Sequence, residues 1–203
     1  MKAIKVIWVS IMLGVLLNSC VDDTKDIPKP YGYYRIELPD HEYEVYDDPE
    51  CPFSFEAPKN ALIVDNDQQG QNCFKSMIYP ELKAGVYFTY FPINDNFEEL
   101  VKTADDIVYE HHNMASGIQV DEVSNEEKHV YGTSYKLMGE VAVNQVFFVT
   151  DSNHHYFAGK LYFETVPNYD SLQPCIDYIT EDIEHLMNTM EWKLPISVSQ
   201  IDQ

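Results

Sequence analysis

The stretch QVFFVTDSNHHYFAGKLYFE, residues 145–164, predicts the centre of the fold. Two runs in it, Gln145 to Thr150 and Tyr156 to Glu164, are rich in the β-branched and aromatic residues that favour strands. Between the runs, the polar residues Asp151-Ser152-Asn153 are typical of a tight turn. We therefore expect two strands that are joined by this turn.

Strand and helix patterns continue on both sides of this stretch. Similar strand-like runs lie at residues 33–38, 53–57, 73–79, 85–91 and 129–138. Apolar residues at helical spacing predict one helix between Phe97 and Ala115. A second helix is predicted to begin with Asp170 or Ser171 as its N-cap, with Pro174 in its first turn. Because strands and helices do not alternate as βαβ units, we expect an α+β fold, with a mainly antiparallel β-sheet and two principal helices packed on it.

The N-terminal residues have the pattern of a bacterial lipoprotein signal. Lys2 and Lys5 precede an apolar segment at residues 6–17, which is shorter than the about 20 apolar residues that a membrane-spanning helix needs. The sequence Leu17-Asn18-Ser19-Cys20 then forms a lipobox, in which Cys20 would become the acylated N-terminal residue, with fatty acids such as palmitate. An ordinary secretory signal with an accidental cysteine is the alternative that the pattern leaves open.

These patterns divide the chain into four parts. Residues 1–19 are predicted to be a lipoprotein signal peptide, and residues 20–30 a lipidated N-terminus with a charged, proline-containing tether. Residues 31–193 are predicted to form a single α+β domain, and residues 194–203 a flexible tail. The acidic residues just after Cys20 act either as a sorting address or as solvating groups of the tether.

The strongly negative charge excludes one class of function. The chain has 13 basic and 34 acidic residues, which gives a formal net charge of -21. Removal of the signal peptide would take away two lysines and no acidic residue. Nucleic-acid binding needs clusters of Lys and Arg against the phosphates, and this sequence contains none. An anionic membrane surface would repel the domain as well, so we expect membrane attachment through the lipid anchor.

Three cysteines follow Cys20 in the sequence. In an oxidising envelope compartment, this odd number predicts one disulfide and one free thiol. Cys51 and Cys73 are the local candidates for the disulfide, and spacing alone leaves other pairings open. Cys175 lies at an apolar position of the second predicted helix, where we expect a buried and unreactive thiol.

Known catalytic motifs are absent from the sequence. It contains no G-x-S-x-G, no phosphate-binding glycine loop and no H-E-x-x-H, so we expect neither catalytic residues nor a cofactor. His111 and His112 are weak candidates for metal ligands, because adjacent residues of a helix point about 100° apart. His154 and His155 form a second pair of neighbours. We therefore expect no metal site.

The 15 tyrosines make glycan binding an alternative function, because flat aromatic rings can stack on sugars. Tyr87, Tyr135 and Tyr162 lie in separate predicted strands, so a single platform is not the expected arrangement. A surface or periplasmic ligand-binding module is therefore kept as an alternative hypothesis. An envelope hydrolase that uses His111, His112 or His154 is a further one.

Motif-like segments are spread over nearly the whole chain after the signal, and the most specific ones lie in its last third. They are Pro28 to Pro30, Gly32 to Pro39, Pro52 to Phe55, Tyr79-Pro80, Phe147 to Ser152, Gly159 to Phe163, Pro167 to Ser171, and Asp182 to Met187 with Trp192-Lys193. These segments resemble the gliding-motility lipoprotein GldD family. The positions that match the family pattern include Arg35, Gln145, Asp151, Ser152, Asn168, Asp170, Ser171 and Trp192. The chain departs from that pattern at Tyr31 and at Val143-Asn144.

The resemblance implies a function through protein contact. It implies a lipid-anchored protein of the cell envelope, expected in the outer membrane, that serves as a non-enzymatic accessory or assembly factor for gliding motility and the associated type IX secretion machinery. Envelope proteins of that machinery are the expected partners, while the periplasmic or surface face of the membrane stays open. The order of strands and helices also looks like a PsbP/Mog1-type α/β/α sandwich, which is a likeness of fold alone.

Overall fold

The computed structural model describes residues 37–66, 73–165 and 168–193. The predicted signal peptide, the tether and the tail at 194–203 lie outside the described residues, as do Cys20 and Arg35. Of the strand expected at 33–38, only the last two residues are described, and they lie in no strand.

Ten β-strands lie in the described ranges. They are β1 (Tyr43–Asp47), β2 (Phe53–Pro58), β3 (Leu62–Asp65), β4 (Lys75–Tyr79), β5 (Ala84–Pro92), β6 (Gly117–Asn125), β7 (Val130–Met138), β8 (Val143–Thr150), β9 (His155–Phe163) and β10 (Glu191–Trp192). Seven of them form one sheet in the order β3-β4-β5-β9-β8-β7-β6, and the others form a small sheet in the order β1-β2-β10. Every paired strand is antiparallel to its neighbour, which confirms the predicted type of sheet.

Two α-helices pack on opposite faces of the larger sheet. Helix α1 (Phe97–His111) covers parts of β7, β8 and β9 on one face. Helix α2 (Tyr169–Thr189) lies on the other face together with the small sheet. The predicted α+β class with two principal helices is therefore confirmed. In the described chain, no helix combines the length and the apolar composition that crossing a membrane requires.

Each face of the larger sheet has its own hydrophobic core, because successive strand residues point to opposite faces. All residues of β8 are buried, as expected for a strand that is covered on both sides. On the α2 face, the ring of Phe157 contacts those of Phe53, Phe55, Phe88 and Phe147, with centroids 5.0 to 6.2 Å apart. This aromatic cluster joins β2 of the small sheet to the larger sheet.

The start of α2 differs from the prediction. Its N-cap is Asn168, and neither Asp170 nor Ser171, because the Asn168 side chain accepts the backbone N–H of Ser171 at 3.4 Å. Pro174 therefore lies inside the helix and not in its first turn. The prediction was wrong because three residues that favour the cap position stand close together, and their spacing does not select one. Asp170 instead lies in the first turn, where a negative charge favours the helix dipole.

Cys51 and Cys73 are bonded to each other and link the loop before β2 to the residues before β4, with their Cα atoms 5.6 Å apart. Close to them, the ammonium of the buried Lys75 lies 2.6 Å from carboxylate oxygens of Asp48 and Asp65. Burial opposes the ionisation of Asp48, but the hydrogen bond from Lys75 lowers the pKa of this carboxyl below its ordinary value. A covalent bond and an ion-pair cluster therefore hold this edge of the domain together.

Cys175 is the free cysteine of the described residues, and it is buried on α2. Burial raises the pKa of its thiol, because the thiolate would lose its hydration. This is the environment that the sequence pattern predicted for an unreactive thiol.

Candidate functional site

The two weak metal candidates lie at the C-terminal end of α1 and bond to their own helix. His111 Nδ1 lies 2.8 Å from the carbonyl oxygen of Ile107, and His112 Nδ1 lies 2.6 Å from that of Tyr109. The His112 ring also stacks on the exposed Tyr109 ring. Each imidazole thus contacts a carbonyl of the last helical turns, where basic side chains are favoured.

His154 lies far from this pair. It is exposed in the turn between β8 and β9, with Nδ1 3.4 Å from a carboxylate oxygen of Asp151. The N-terminal end of α1 lies beside this turn, because residues 96–99 and 152–153 line the same surface pocket. His111 lies at the opposite end of this 15-residue helix, about 20 Å away along the helix axis. The histidines of the hydrolase hypothesis are therefore not brought together. Within the described ranges, no group of three or more His, Cys, Asp or Glu residues could hold a metal ion.

Asp151 and Ser152, two positions of the family pattern, shape the turn between β8 and β9. Asp151 Oδ1 accepts the backbone N–H groups of Asn153, His154 and His155 at 3.0, 2.8 and 2.8 Å. Burial opposes the charge of Asp151, but these donors lower its pKa below the ordinary value. Ser152 has a φ of 67°, a left-handed conformation that the turn requires. Both residues are thus engaged in holding the turn.

Trp192, another of these positions, connects the small sheet to the larger one. Its indole N–H donates to the carbonyl of His129 at 3.1 Å, and its ring stacks on that of His155 with centroids 5.1 Å apart. His155 is buried, and its Nδ1 lies 2.9 Å from the hydroxyl of Tyr90. Burial lowers the pKa of His155, so the neutral imidazole is favoured.

Gln145 lies fully buried below α2 and links that helix to the sheet. Its side-chain nitrogen donates to Ser134 Oγ at 2.7 Å, and its oxygen accepts the hydroxyl of Thr180 at 3.0 Å. With the cap of α2 at Asn168, the described family positions therefore lie in separate places. Except for Asp170, each has a hydrogen-bond partner within the fold, and no two of them line the same described cavity.

An apolar cleft lies where α1 leaves part of the larger sheet uncovered. It has a volume of about 170 Å³ and lies between α1 and strands β5, β8 and β9. Small residues leave the space, because Ala104 of α1 and Ala158 of β9 both line it. Its larger lining residues are Tyr87, Phe91, Leu100, Ile107, Val146 and Tyr156.

Two tyrosine hydroxyls hold α1 in place beside this cleft. Tyr156 of β9 donates to the carbonyl of Leu100 at 3.0 Å, and Tyr135 of β7 donates to Asp105 Oδ1 at 2.9 Å. Burial and the hydrogen bond to Asp105 raise the pKa of Tyr135 to about 12. Both phenols therefore keep their protons at neutral pH and remain donors, which fixes the width of the cleft.

Lys160 supplies the positive charge of the cleft lining. It is partly buried on β9 and lies directly opposite Tyr87 of β5. Six other lysines of the described residues contact a carboxylate, namely Lys59, Lys75, Lys102, Lys128, Lys136 and Lys193. In the described part of the chain, Lys160 and the exposed Lys83 have no such contact.

Tyr87 and Tyr162 form a stacked pair next to Lys160, with ring centroids 4.2 Å apart and planes 8° apart. The Tyr162 ring covers Gly85, where an added Cβ would lie 2.5 Å from the phenol oxygen. Burial and the hydrogen bond with Tyr87 raise the pKa of Tyr162. Two of the three strand tyrosines are thus neighbours, while Tyr135 contacts α1.

A buried carboxylate on α2 binds the first described segment of the chain. Asp182 has no exposed surface and accepts the hydroxyls of Tyr43 and Tyr79 at 3.0 and 2.9 Å. His41 Nδ1 lies 2.7 Å from the same carboxylate, and the His41 ring stacks on the ring of Tyr178. Burial and the charge of Asp182 raise the pKa of both tyrosines, so they remain donors. Tyr79 and Asp182 lie in two of the family-like segments, but the sequence did not predict that they meet.

Fold and cleft together define an acidic, antiparallel α+β domain with an open apolar cleft. The chain belongs to the gliding motility lipoprotein GldD family, whose model matches residues 23–192. Membership in this family makes it a lipoprotein of the cell envelope. No curated protein matches the chain. Among solved structures, it is similar to the solution structure of cyanobacterial PsbP (CyanoP) from Synechocystis sp. PCC 6803, with 9% identity and a TM-score of 0.43, over 81% of this chain and 99% of that one.

Proposed function

We propose that the protein is a non-enzymatic accessory or assembly factor for gliding motility and the associated type IX secretion machinery. In this proposal, lipid on Cys20 holds the domain at the outer membrane, where it contacts envelope proteins of the machinery. The observation that carries the proposal is the family match, because it extends over residues 23–192 and includes nearly all of the described domain.

The roles of the family-pattern residues support a function through contact. Asp151 holds a turn, Gln145 links α2 to the sheet, and Asn168 caps α2. Catalysis would instead need free groups that converge on one cavity. Residues that hold turns, cap helices and join elements in the core preserve the shape of the protein surface. A protein that works by docking to partners depends on that shape.

The negative charge gives this proposal a testable feature. A formal net charge of -21 favours a partner with a basic face, because opposite potentials attract the two proteins and align them. Exposed charges are screened by salt over a Debye length of about 10 Å at 0.1 M ionic strength. The contact is therefore expected to weaken as salt is raised.

Crosslinking of the full-length lipidated protein in its native envelope tests the proposed function. We expect the crosslinked partners to be proteins of the motility or secretion machinery, and we expect their yield to fall as salt is raised before crosslinking. Deletion of the gene should abolish gliding or type IX secretion, and re-expression of the wild-type chain should restore it. Intact motility and intact secretion after deletion would overturn the proposal.

A glycan-binding module is the second candidate, and the stacked pair of Tyr87 and Tyr162 favours it. Partly buried aromatic rings at the border of a cleft can stack on a sugar ring. If this is the main function, envelope polysaccharide binds the protein, and Tyr162→Ala weakens the binding measured by calorimetry. Tyr109→Ala is the matched control, because Tyr109 is 71% exposed on α1. Equal binding by both variants would exclude the tyrosine pair.

A further inference from the structure

The cleft beside α1 combines an apolar interior with a charged border. Leu100, Ile107 and Val146 contribute its walls, and Ala104 and Ala158 leave room between them. Such a combination, of apolar walls with a few polar groups that fix orientation, is typical of sites for small molecules. The nature of the polar group at the border then indicates the class of ligand.

Lys160 is that group, and its environment favours an anion. In a chain with 34 acidic residues, the six lysines named above have carboxylate partners, whereas Lys160 has none in the described part of the chain. The carboxylate of Asp105 on α1 is held by Tyr135 instead. Lys83 also lacks a partner, but it is exposed and solvated. Lys160 lines the cleft and its ammonium has no carboxylate partner among the described residues, so an added anion there would gain a charge-assisted pair.

The size of the cleft limits the apolar part of the ligand. Its volume is about 170 Å³. An apolar protein cavity of about 150 Å³ can hold one benzene molecule. One aromatic ring or a short alkyl chain therefore fits between α1 and the sheet. Thr103, which is exposed at the rim, marks the side on which the cleft meets solvent.

We propose that this cleft binds a small amphipathic carboxylate. Its ring or alkyl chain lies among Leu100, Ile107 and Val146, and its carboxylate pairs with the ammonium of Lys160. The hydroxyl of Thr89, which also lines the cleft, is available as a further donor. This site stands apart from the proposed role in motility and secretion, and the two can fail independently.

Ligand-observed NMR tests the site with the full-length lipidated protein in lipid nanodiscs, with empty nanodiscs as the blank. The probes are phenylacetate and its neutral isostere phenylacetamide, which share the ring and differ in charge. We expect phenylacetate to bind about tenfold more tightly than phenylacetamide, because a hydrogen-bonded charge pair contributes about that factor. Lys160→Met should remove this difference and leave the weak binding of the amide unchanged.

Two further variants make the test specific. Lys83→Met removes the other lysine without a carboxylate contact among the described residues and should leave the affinity for phenylacetate unchanged. Thr103→Trp places a large ring at the rim from an exposed helix position and should block both probes, while thermal unfolding reports that the variant is folded. The proposal is overturned if the wild-type protein binds neither probe, if it binds both equally, or if Lys160→Met binds phenylacetate as the wild type does.

Discussion

Replacement of Asp182 by alanine is expected to lower the free energy of unfolding by about 3–5 kcal/mol. The carboxylate of Asp182 accepts the hydroxyls of Tyr43 and Tyr79 and lies 2.7 Å from His41 Nδ1. Without it, these polar groups lose a shared partner, and each group that stays buried and unpaired costs about 1–3 kcal/mol. Because small domains are stable by only about 5–15 kcal/mol, the variant would lose a large part of its stability.

Urea unfolding followed by circular dichroism measures this effect. Asp177→Ala is the matched control, because Asp177 lies on the same helix and is exposed, and in the described chain its side chain accepts a hydrogen bond only from Gln173. It should change the free energy of unfolding by less than about 0.5 kcal/mol. Tyr79→Phe removes a single donor and should cost about 1 kcal/mol. Equal stabilities of the two aspartate variants would show that the buried network contributes nothing.

A sequence signal for Asp182 was available. It follows Ile179 by three residues and precedes Leu186 by four, so it falls on the apolar stripe of α2, where a charge is out of place. Such a position predicts a buried carboxylate with partners, because an unpaired buried charge is costly. The identity of the partners could not be predicted, because Tyr79 and the segment from His41 to Tyr43 are distant in sequence and meet only through the fold.

The central strands could be predicted because their residues are buried. The run at 85–91 became β5, and the two runs of the opening stretch became β8 and β9, with boundaries shifted by one or two residues. Strand β6 was missed because it lies at the edge of the sheet, and most of its side chains are exposed. At the other edge, β3 is short and also largely exposed. Edge strands have few core contacts, so the apolar pattern is weak there.

The candidate cleft could not be predicted for a different reason. Its walls come from α1, β5, β8 and β9, which meet through the pairing of β5 and β8 with β9 and through the packing of α1 on the sheet. The sequence pattern identified Tyr87 and Tyr162 as strand residues, but it could not determine that their strands are neighbours. The isolation of Lys160 is likewise a property of the whole fold, because it depends on where the carboxylates of other elements lie.

Replacement of Cys20 by alanine is expected to release the protein from membranes almost completely. Burial of an acyl chain in the bilayer contributes about 0.8 kcal/mol per CH₂ group, and two or more chains give firm attachment where one is marginal. None of the described cysteines can substitute for Cys20, because Cys51 and Cys73 are bonded to each other and Cys175 is buried. Without the lipid, the acidic domain is expected to avoid anionic lipid headgroups.

The measurement compares membrane and soluble fractions after an alkaline wash. Because the lipobox cysteine is also needed for processing, the variant carries a cleavable secretory signal in place of residues 1–19, so that an uncleaved signal cannot act as an anchor. Cys175→Ala, with the native signal, is the matched control and should stay in the membrane fraction. If the cleaved Cys20→Ala chain sediments with membranes as the control does, the domain itself binds the envelope, and the lipid is not the anchor. If the cleaved chain is released as predicted, its contacts with the motility machinery must form without the local concentration that the membrane provides. Gliding or secretion should therefore be reduced even though the fold is intact.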